Sequence, residues 1–245
     1  PQSITSVCEL KNLVSVKYQI VSPRENKPII TIVQDTLLGI NKLTKSEKIN
    51  YLGDSYNGVY YNENTNIYEV QETGDNNTMI DETSYFNKTQ MMNIICDLST
   101  FDGSIPKSDS DFEIDGVVTP LWSGKSILSY ILPDNINLNM MNAGYDNNKS
   151  KADSGNRKKG LLSQYNEVVN IVKIVNGIIK QGTFDKGLFS KTSKGLIHTI
   201  YNDLGSERTC DFINDLQKIV SYILLVEGFS VGISDMIAEK ETNEK

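Results

Sequence analysis

Long apolar runs are missing from this chain. The longest, Ile219 to Val226, falls well short of the roughly 18 residues that cross a bilayer, so no membrane span is expected. Cysteine is scarce. Cys8, Cys96 and Cys210 are odd in number and far apart, which fits neither a disulfide framework nor the close pairs of a zinc site, and points to a reducing compartment. A single histidine, His198, argues against a Ser-His-Asp triad or a multi-histidine metal centre. Positive charge is in deficit: 24 Lys and Arg stand against 31 Asp and Glu, for a formal charge of −7. That excludes a uniformly basic nucleic-acid coat but leaves room for a local basic patch. The N-terminus has neither an initiator Met nor the basic-then-apolar pattern of a signal peptide, and the chain reads as a soluble segment of a longer one.

What is present suffices for a core. A length of 245 residues with 38% hydrophobic side chains fits one large domain or one and a half. Val7, Leu10 and Val14 share a helical face over residues 6–16, and Ser6 with Glu9 has capping-box spacing. Pro23 and Pro28 each push the preceding residue out of the α region, so 22–28 is an ordered extended loop. Val33, Leu37 and Ile40 predict a short helix in which Gly39 permits close packing. Residues 48–82, rich in Tyr, Asn, Asp and Glu, read as a surface insertion with a hairpin over 58–61 and 67–70 and a turn at Gly74 to Asn77. Thr83 or Ser84 then caps a helix running to about Leu98, with Met91, Ile94, Ile95 and Leu98 inward.

Residues 101–116 read as an acidic loop, and a strand is expected near Ile127 to Leu132. Asp146 to Gly160 is polar and expected to be flexible. Asn176-Gly177, between apolar runs, is the strongest hairpin signal, because Asn-Gly suits a type I′ turn. A long buried helix spans about Arg208 to Glu227 and ends at Gly228. The fold class expected is α+β, with short helices, antiparallel hairpins and this long C-terminal helix.

The possible chemical constellations have bland readings beside them. Ser123-Gly124-Lys125-Ser126 lacks the glycine five positions before Gly124 that a P-loop needs, since Thr119 stands there; Lys125 remains a candidate phosphate contact or a solvated lysine. Asp109, Asp111, Glu113 and Asp115 alternate, but without the glycine and terminal Glu of a calcium loop they read as solvated acids. Phe101-Asp102-Gly103 has no further alternating aspartates with which to hold metal ions. The basic cluster Lys149 to Lys159 has no interleaved aromatics and reads as a solvated loop. His198 lies in an apolar stretch, as a packed core histidine would. The sequons at Asn87 and Asn148 are chance matches in an Asn-rich chain.

Four strings in order carry more information than any one of them. Ile20-Val-Ser-Pro-Arg-Glu-Asn-Lys-Pro-Ile-Ile30, followed by Ile32-Val-Gln-Asp-Thr-Leu-Leu-Gly-Ile-Asn-Lys-Leu-Thr44, closely resembles the largest subunit of DNA-directed RNA polymerase II and its archaeal and viral relatives. Pro120-Leu-Trp-Ser-Gly-Lys125 is similar to that subunit's tryptophan-glycine-lysine turn. Ile178 to Ile200, with Gly195-Leu-Ile-His198, resembles its next block, and Cys210 to Ala238, with Gly228-Phe-Ser-Val-Gly-Ile-Ser-Asp235, resembles the helix leading into the funnel. The similarity is to the pore domain, the third domain of that subunit, over residues 1–245, with 48–82 as an insertion and 239–245 as the start of the funnel region.

The resemblance implies DNA-templated RNA synthesis by a nucleotidyltransferase, with this segment lining the pore through which nucleotides enter and backtracked RNA leaves. It implies Mg2+ in the whole enzyme, held by three alternating aspartates ahead of Pro1, so that this segment carries no catalytic or metal-binding residue of its own. Phe101-Asp102-Gly103 corresponds to a later loop of the family, and Ser234 stands where the family commonly has Gly. Partners implied are the other polymerase subunits, above all the second-largest, with template DNA, RNA transcript, nucleoside triphosphates and a transcript-cleavage factor entering the pore. Asn26, Lys27, Gln34 and Asp35 are assigned to the wall near the active centre and Lys125 to a phosphate contact, with Gln34 and Asp35 alternatively a helix N-cap pair. The Asn-, Ile- and Lys-heavy composition suits an AT-rich genome such as that of a large cytoplasmic DNA virus. The expected place is therefore the nucleus for a cellular enzyme, or a cytoplasmic viral factory or virion for a viral one. The rival reading is a free-standing interaction module that uses the Tyr-rich stretch 51–70 and has no catalytic activity.

Overall fold

A computed structural model describes residues 2–45, 59–62, 67–70, 85–114, 117–145, 167–191 and 194–237. The elements that position the site run in chain order. Helix α1 (Ile4–Glu9) is continued by a π-type turn (Leu10–Val14) and a 3-10 turn (Val16–Gln19). Strands β1 (Val21–Ser22) and β2 (Lys27–Pro28) precede α2 (Gln34–Thr44), β3 (Val59–Asn62), β4 (Ile67–Val70), β5 (Tyr85–Phe86) and α3 (Lys88–Ile95). Then come β6 (Ser110–Ile114), β7 (Val117–Ser123), α4 (Gly124–Ile131), β8 (Leu138–Met141), β9 (Ile171–Val175) and β10 (Ile178–Gln181). Helices α5 (Lys186–Ser190) and α6 (Leu196–Glu227) follow, and a 3-10 turn covers Ile233–Met236.

Among the described residues every strand pairing is antiparallel, in two hairpins, β1-β2 and β3-β4, and two three-stranded sheets ordered β5-β7-β6 and β10-β9-β8. The α+β class expected from the sequence is the class observed. The Asn-Gly hairpin forms as read: Val175 faces Ile178, and Asn176 (φ 49°) and Gly177 (φ 73°) take the paired positive φ of a type I′ turn. A side chain at Gly177 would meet the Pro133 carbonyl oxygen at 2.6 Å, so space as well as φ requires glycine there.

Helix α6 is longer than its sequence signal. It begins at Leu196 and runs through a break at Gly205 (φ 86°) to Gly228, whose N–H donates to the Leu224 carbonyl at 2.9 Å. Phe212, Leu216, Ile219, Val220 and Ile223 are buried along one face, as their spacing predicts. Onto this face packs α2, where Gly39 lies so close that a Cβ would collide with Val220 Cγ1. The C-terminal turn of α2 is tied to the segment before α5. Thr44, fully buried, accepts the Phe184 N–H (2.9 Å) on its hydroxyl, and the Asn41 side chain donates to the Phe184 carbonyl (3.0 Å).

Several local expectations are corrected. Residues 127–132 are not a strand: Gly124–Ile131 is helical because Ser123 caps it, accepting the Ser126 N–H at 3.2 Å, and Ile127, Leu128 and Ile131 form a buried helical stripe. The supposed acidic loop contains β6, so the alternation of Asp111 and Glu113 is strand period. Tyr85–Phe86 pairs with Trp122 and Ser123 of β7, which delays the helix start to an Asn87–Gln90 capping box rather than Thr83 or Ser84. Asn87 is thereby engaged with the backbone. At the N-terminus the cap is Ser3 rather than Ser6, and of the shared face Val7 is half-buried while Leu10 and Val14 are exposed. The hairpin of the 48–82 stretch forms as β3-β4; the turn at Gly74 to Asn77, the basic cluster 149–159 and the tail 239–245 lie outside the described residues.

The Gly39 contact gives a stability prediction. Gly39→Ala should lower the urea midpoint by about 1–3 kcal/mol equivalent through overpacking, with the m-value unchanged, and Val220→Ala in the same chain should recover most of it. An additive double variant would contradict the contact.

Candidate functional site

The two prolines around Arg24 to Lys27 stiffen a turn that the β1-β2 pairing closes, with Val21 facing Pro28 and Ser22 facing Lys27. Pro28 is buried while residues 23–27 stay exposed. Asn26 takes φ 47°, a left-handed conformation that asparagine tolerates better than most residues. Its Oδ1 lies 3.2 Å from Nε2 of His198, on the first half of α6. His198 is 8% exposed, and Asn202 Nδ2 lies 3.2 Å from its Nδ1. One neutral tautomer satisfies both contacts: Nε2–H donates to Asn26, and Nδ1 accepts from Asn202. The core histidine expected from the sequence therefore also holds the tip of the hairpin in place.

Strand β2 packs against α5 and α6, and an open cleft of about 620 Å³ lies between the hairpin and α5. Ser22, Arg24, Glu25, Lys27, Lys186 and Ser190 are among its lining residues. Lys27 and Glu25 form an ion pair of 3.3 Å across the turn, with both side chains about half exposed. Asn26 adjoins this wall. Gln34 and Asp35 do not line the cleft but stand together, both exposed, at the start of α2.

The N-cap of α2 is Val33, and neither Gln34 nor Asp35 forms a side-chain hydrogen bond among the described residues, so the two do not cap the helix, although Asp35 does stand in its first turn, beside the positive helix end, as the alternative reading has it. Gln34 has φ 52°, a backbone conformation that costs a non-glycine residue on the order of 1–3 kcal/mol.

Lys125 lies elsewhere. It is 6% exposed on α4, it is not a free cation, and it does not line the cleft. The reading of it as a solvated lysine is thus corrected. The turn it belongs to already has an anion: the Asp109 carboxylate accepts the Ser123 N–H at 2.6 Å and also the Ser126 hydroxyl. A carboxylate therefore occupies the positive end of α4, where a phosphate contact was expected.

Among the described residues no group of three or more His, Cys, Asp or Glu side chains is arranged to hold a metal ion, so they do not fit Mg2+. The buried carboxylate of Asp215 is saturated by the N–H (2.8 Å) and hydroxyl (2.7 Å) of Ser99 and by the N–H (3.3 Å) and hydroxyl (3.2 Å) of Thr100. Asp102 is held below the usual carboxylate range, first by the Ser104 hydroxyl at 2.5 Å and then by the Ser104 N–H at 2.8 Å, so its carboxylate is engaged by its own turn, with the Tyr130 hydroxyl at 3.4 Å as a further donor.

Arg24 and Lys186 are the cleft cations that the sequence reading did not assign. Arg24 sits inside a quoted string; Lys186 opens a short helix capped by Asp185, and nothing in the chain order announces that it faces residue 24.

A double-mutant cycle tests the latch. His198→Leu and Asn26→Gly should couple by about 0.5–1.5 kcal/mol in unfolding free energy, and His198→Gln, which keeps a donor, should retain more of the coupling than His198→Leu. Zero coupling would mean that the two side chains do not support each other.

The family model described as RNA polymerase Rpb1, domain 3, matches residues 19–236, a span that contains the hairpin, the cleft and all of α6.

Proposed function

Because this chain belongs to the RNA polymerase Rpb1 domain 3 family and is thus a segment of the largest subunit of a DNA-directed RNA polymerase, we infer that its hairpin wall borders the pore of the assembled enzyme. The reading assigns the segment to the path of incoming nucleotides and retreating RNA, with the second-largest subunit among its neighbours. The observation that carries the assembled state is the pair of apolar ends. Ile4 (82% exposed), Leu13, Val14 and Val16 stand out at one terminus, and Leu225 (82%), Phe229, Ile233 (80%) and Met236 at the other. Exposed apolar surface on this scale marks sites covered by other protein.

A free-standing module would have no use for two such surfaces, and the stretch 51–70 on which that alternative rests is described only as the strands of one hairpin. Physically, a nucleotide path needs local positive potential inside a protein of net charge −7. Arg24 and Lys186 supply positive charge on the cleft walls, Lys27 being paired with Glu25 at 3.3 Å, and Asn26 and Gln34 supply hydrogen bonds that do not titrate. The chemistry of phosphodiester synthesis, with its Mg2+, is assigned to other parts of the subunit, as is contact with the DNA template. The segment's contribution is to shape and charge the route. This places it wherever the polymerase transcribes, inside the cell or in a viral factory.

The test is a transcript bearing a photoreactive group at its 3′ end, placed in the assembled polymerase and made to retreat. Cross-links should map to residues 21–35 of this chain. Cross-links confined to other segments would contradict the pore assignment.

A further inference from the structure

The β9-β10 turn sets an electrophile beside a nucleophile. The Asn176 side-chain amide is exposed and makes no hydrogen bond among the described residues. The next backbone nitrogen belongs to Gly177, which has no Cβ to hinder an attack through it. In an open chain such a pair closes on itself into a cyclic imide, which is why asparagine counts among the thermolabile residues. The folded turn opposes each part of that step. Gly177 is buried and its N–H donates to the Ile136 carbonyl at 3.0 Å, so the proton that must leave is held. The Asn176 N–H donates to Asn137 Oδ1 at 3.0 Å, which fixes the peptide on the other side. Asn176 at φ 49° is committed to the type I′ geometry, and the Pro133 carbonyl pressed against Gly177 leaves the glycine little room to swing.

We propose that Asn176 is a guarded deamidation site, modified only when the β9-β10 hairpin opens away from residues 133–137. The bond that forms joins the Gly177 nitrogen to Asn176 Cγ. The bond that breaks is Cγ–Nδ2, and ammonia leaves with the Gly177 proton. Water then opens the imide at either carbonyl, giving aspartate, or isoaspartate with the main chain rerouted through the side chain. Isoaspartate adds a methylene to the backbone, which a two-residue turn pairing Val175 with Ile178 cannot absorb. Gly177 then loses Ile136. Strand β10, whose Ile179 N–H donates to Ser129 Oγ at 2.9 Å, loses its seat on α4. An opening that ordinarily reverses is thereby made permanent.

The test follows the conversion of the Asn176 side chain from amide to acid by mass spectrometry, in the assembled polymerase held at mildly alkaline pH. Hydrogen exchange at the Gly177 amide is measured beside it. Conversion should be about tenfold or more slower than in the same subunit unfolded in urea. Exchange and imide formation both pass through the deprotonated Gly177 nitrogen, so the slowing should be at least as large as the exchange protection. Asn137→Ala, at an exposed position, should speed native conversion about two- to tenfold, the worth of one hydrogen bond, and leave the rate in urea unchanged. If that variant opens the turn altogether, protection at Gly177 collapses, and conversion at the urea rate again supports the guard. Equal rates in the native and unfolded subunit, or collapsed protection with conversion still slow, overturn the guard. Absence of conversion in urea overturns the site itself.

Discussion

Helix α6 cannot slide along its axis, because polar side chains along its length each meet a fixed partner. His198 holds Asn26, Arg208 Nη2 donates to the Ile131 carbonyl at 2.6 Å, and Asp215 takes four donors from Ser99 and Thr100. Gln217 accepts from the Thr36 hydroxyl at 2.6 Å, and Lys218 donates to the Asp97 carbonyl at 2.5 Å. An apolar stripe alone packs in several registers at similar energy; a buried carboxylate left without its donors would cost several kcal/mol, so only one register survives. The hairpin, α2, the end of α4 and the turn after α3 are all placed by reference to this helix.

The break at Gly205 divides the work of α6. The residues before it carry His198 and Asn202 and serve the hairpin; those after it carry the apolar stripe that receives α2. Arg208, just past the break, puts its positive charge on the C-terminal carbonyl of α4, where the helix dipole favours a cation. At the other end of α4 the Asp109 carboxylate does the complementary thing. Charges are therefore consumed inside the fold at both ends of α4, whereas Arg24 and Lys186 stay exposed at the cleft beside α5. Nearby, the Lys17–Glu207 pair (2.6 Å) raises the lysine and lowers the glutamate chiefly through their mutual hydrogen bond, and ties the residues before the hairpin to α6.

Legibility in the sequence followed the range of the interactions. The Asn176-Gly177 hairpin, the Gly39 contact and the buried stripe of α6 depend on neighbours in the chain or on a missing side chain, and each was visible there. Helix α4 was misread because its apolar run is short and dense, so that strand and helix periods cannot be told apart; the deciding signals were Ser123 as a cap and Asp109 beside it. Strand β6 was hidden by its acids, since its pairing with β7 decides its conformation. The resemblance of four ordered strings singled out Asn26 and Lys27 of the hairpin, of which Lys27 lines the cleft, but not Lys186, which is brought there by folding, nor the burial of Lys125. A core position for His198 could be read from its apolar neighbours; its partner, 172 residues away, could not.

On the pore reading, the segment's apolar ends are covered in the working enzyme while its cationic cleft stays open. Hydroxyl-radical footprinting of the assembled polymerase compares the two directly. Leu225, Phe229 and Met236, with Leu13 at the other end, should be shielded relative to the isolated chain, while Pro23, Arg24 and Ile29 of the hairpin and its flank keep their reactivity. Ends that remain reactive in the assembly, or a hairpin that becomes shielded with them, would contradict the account.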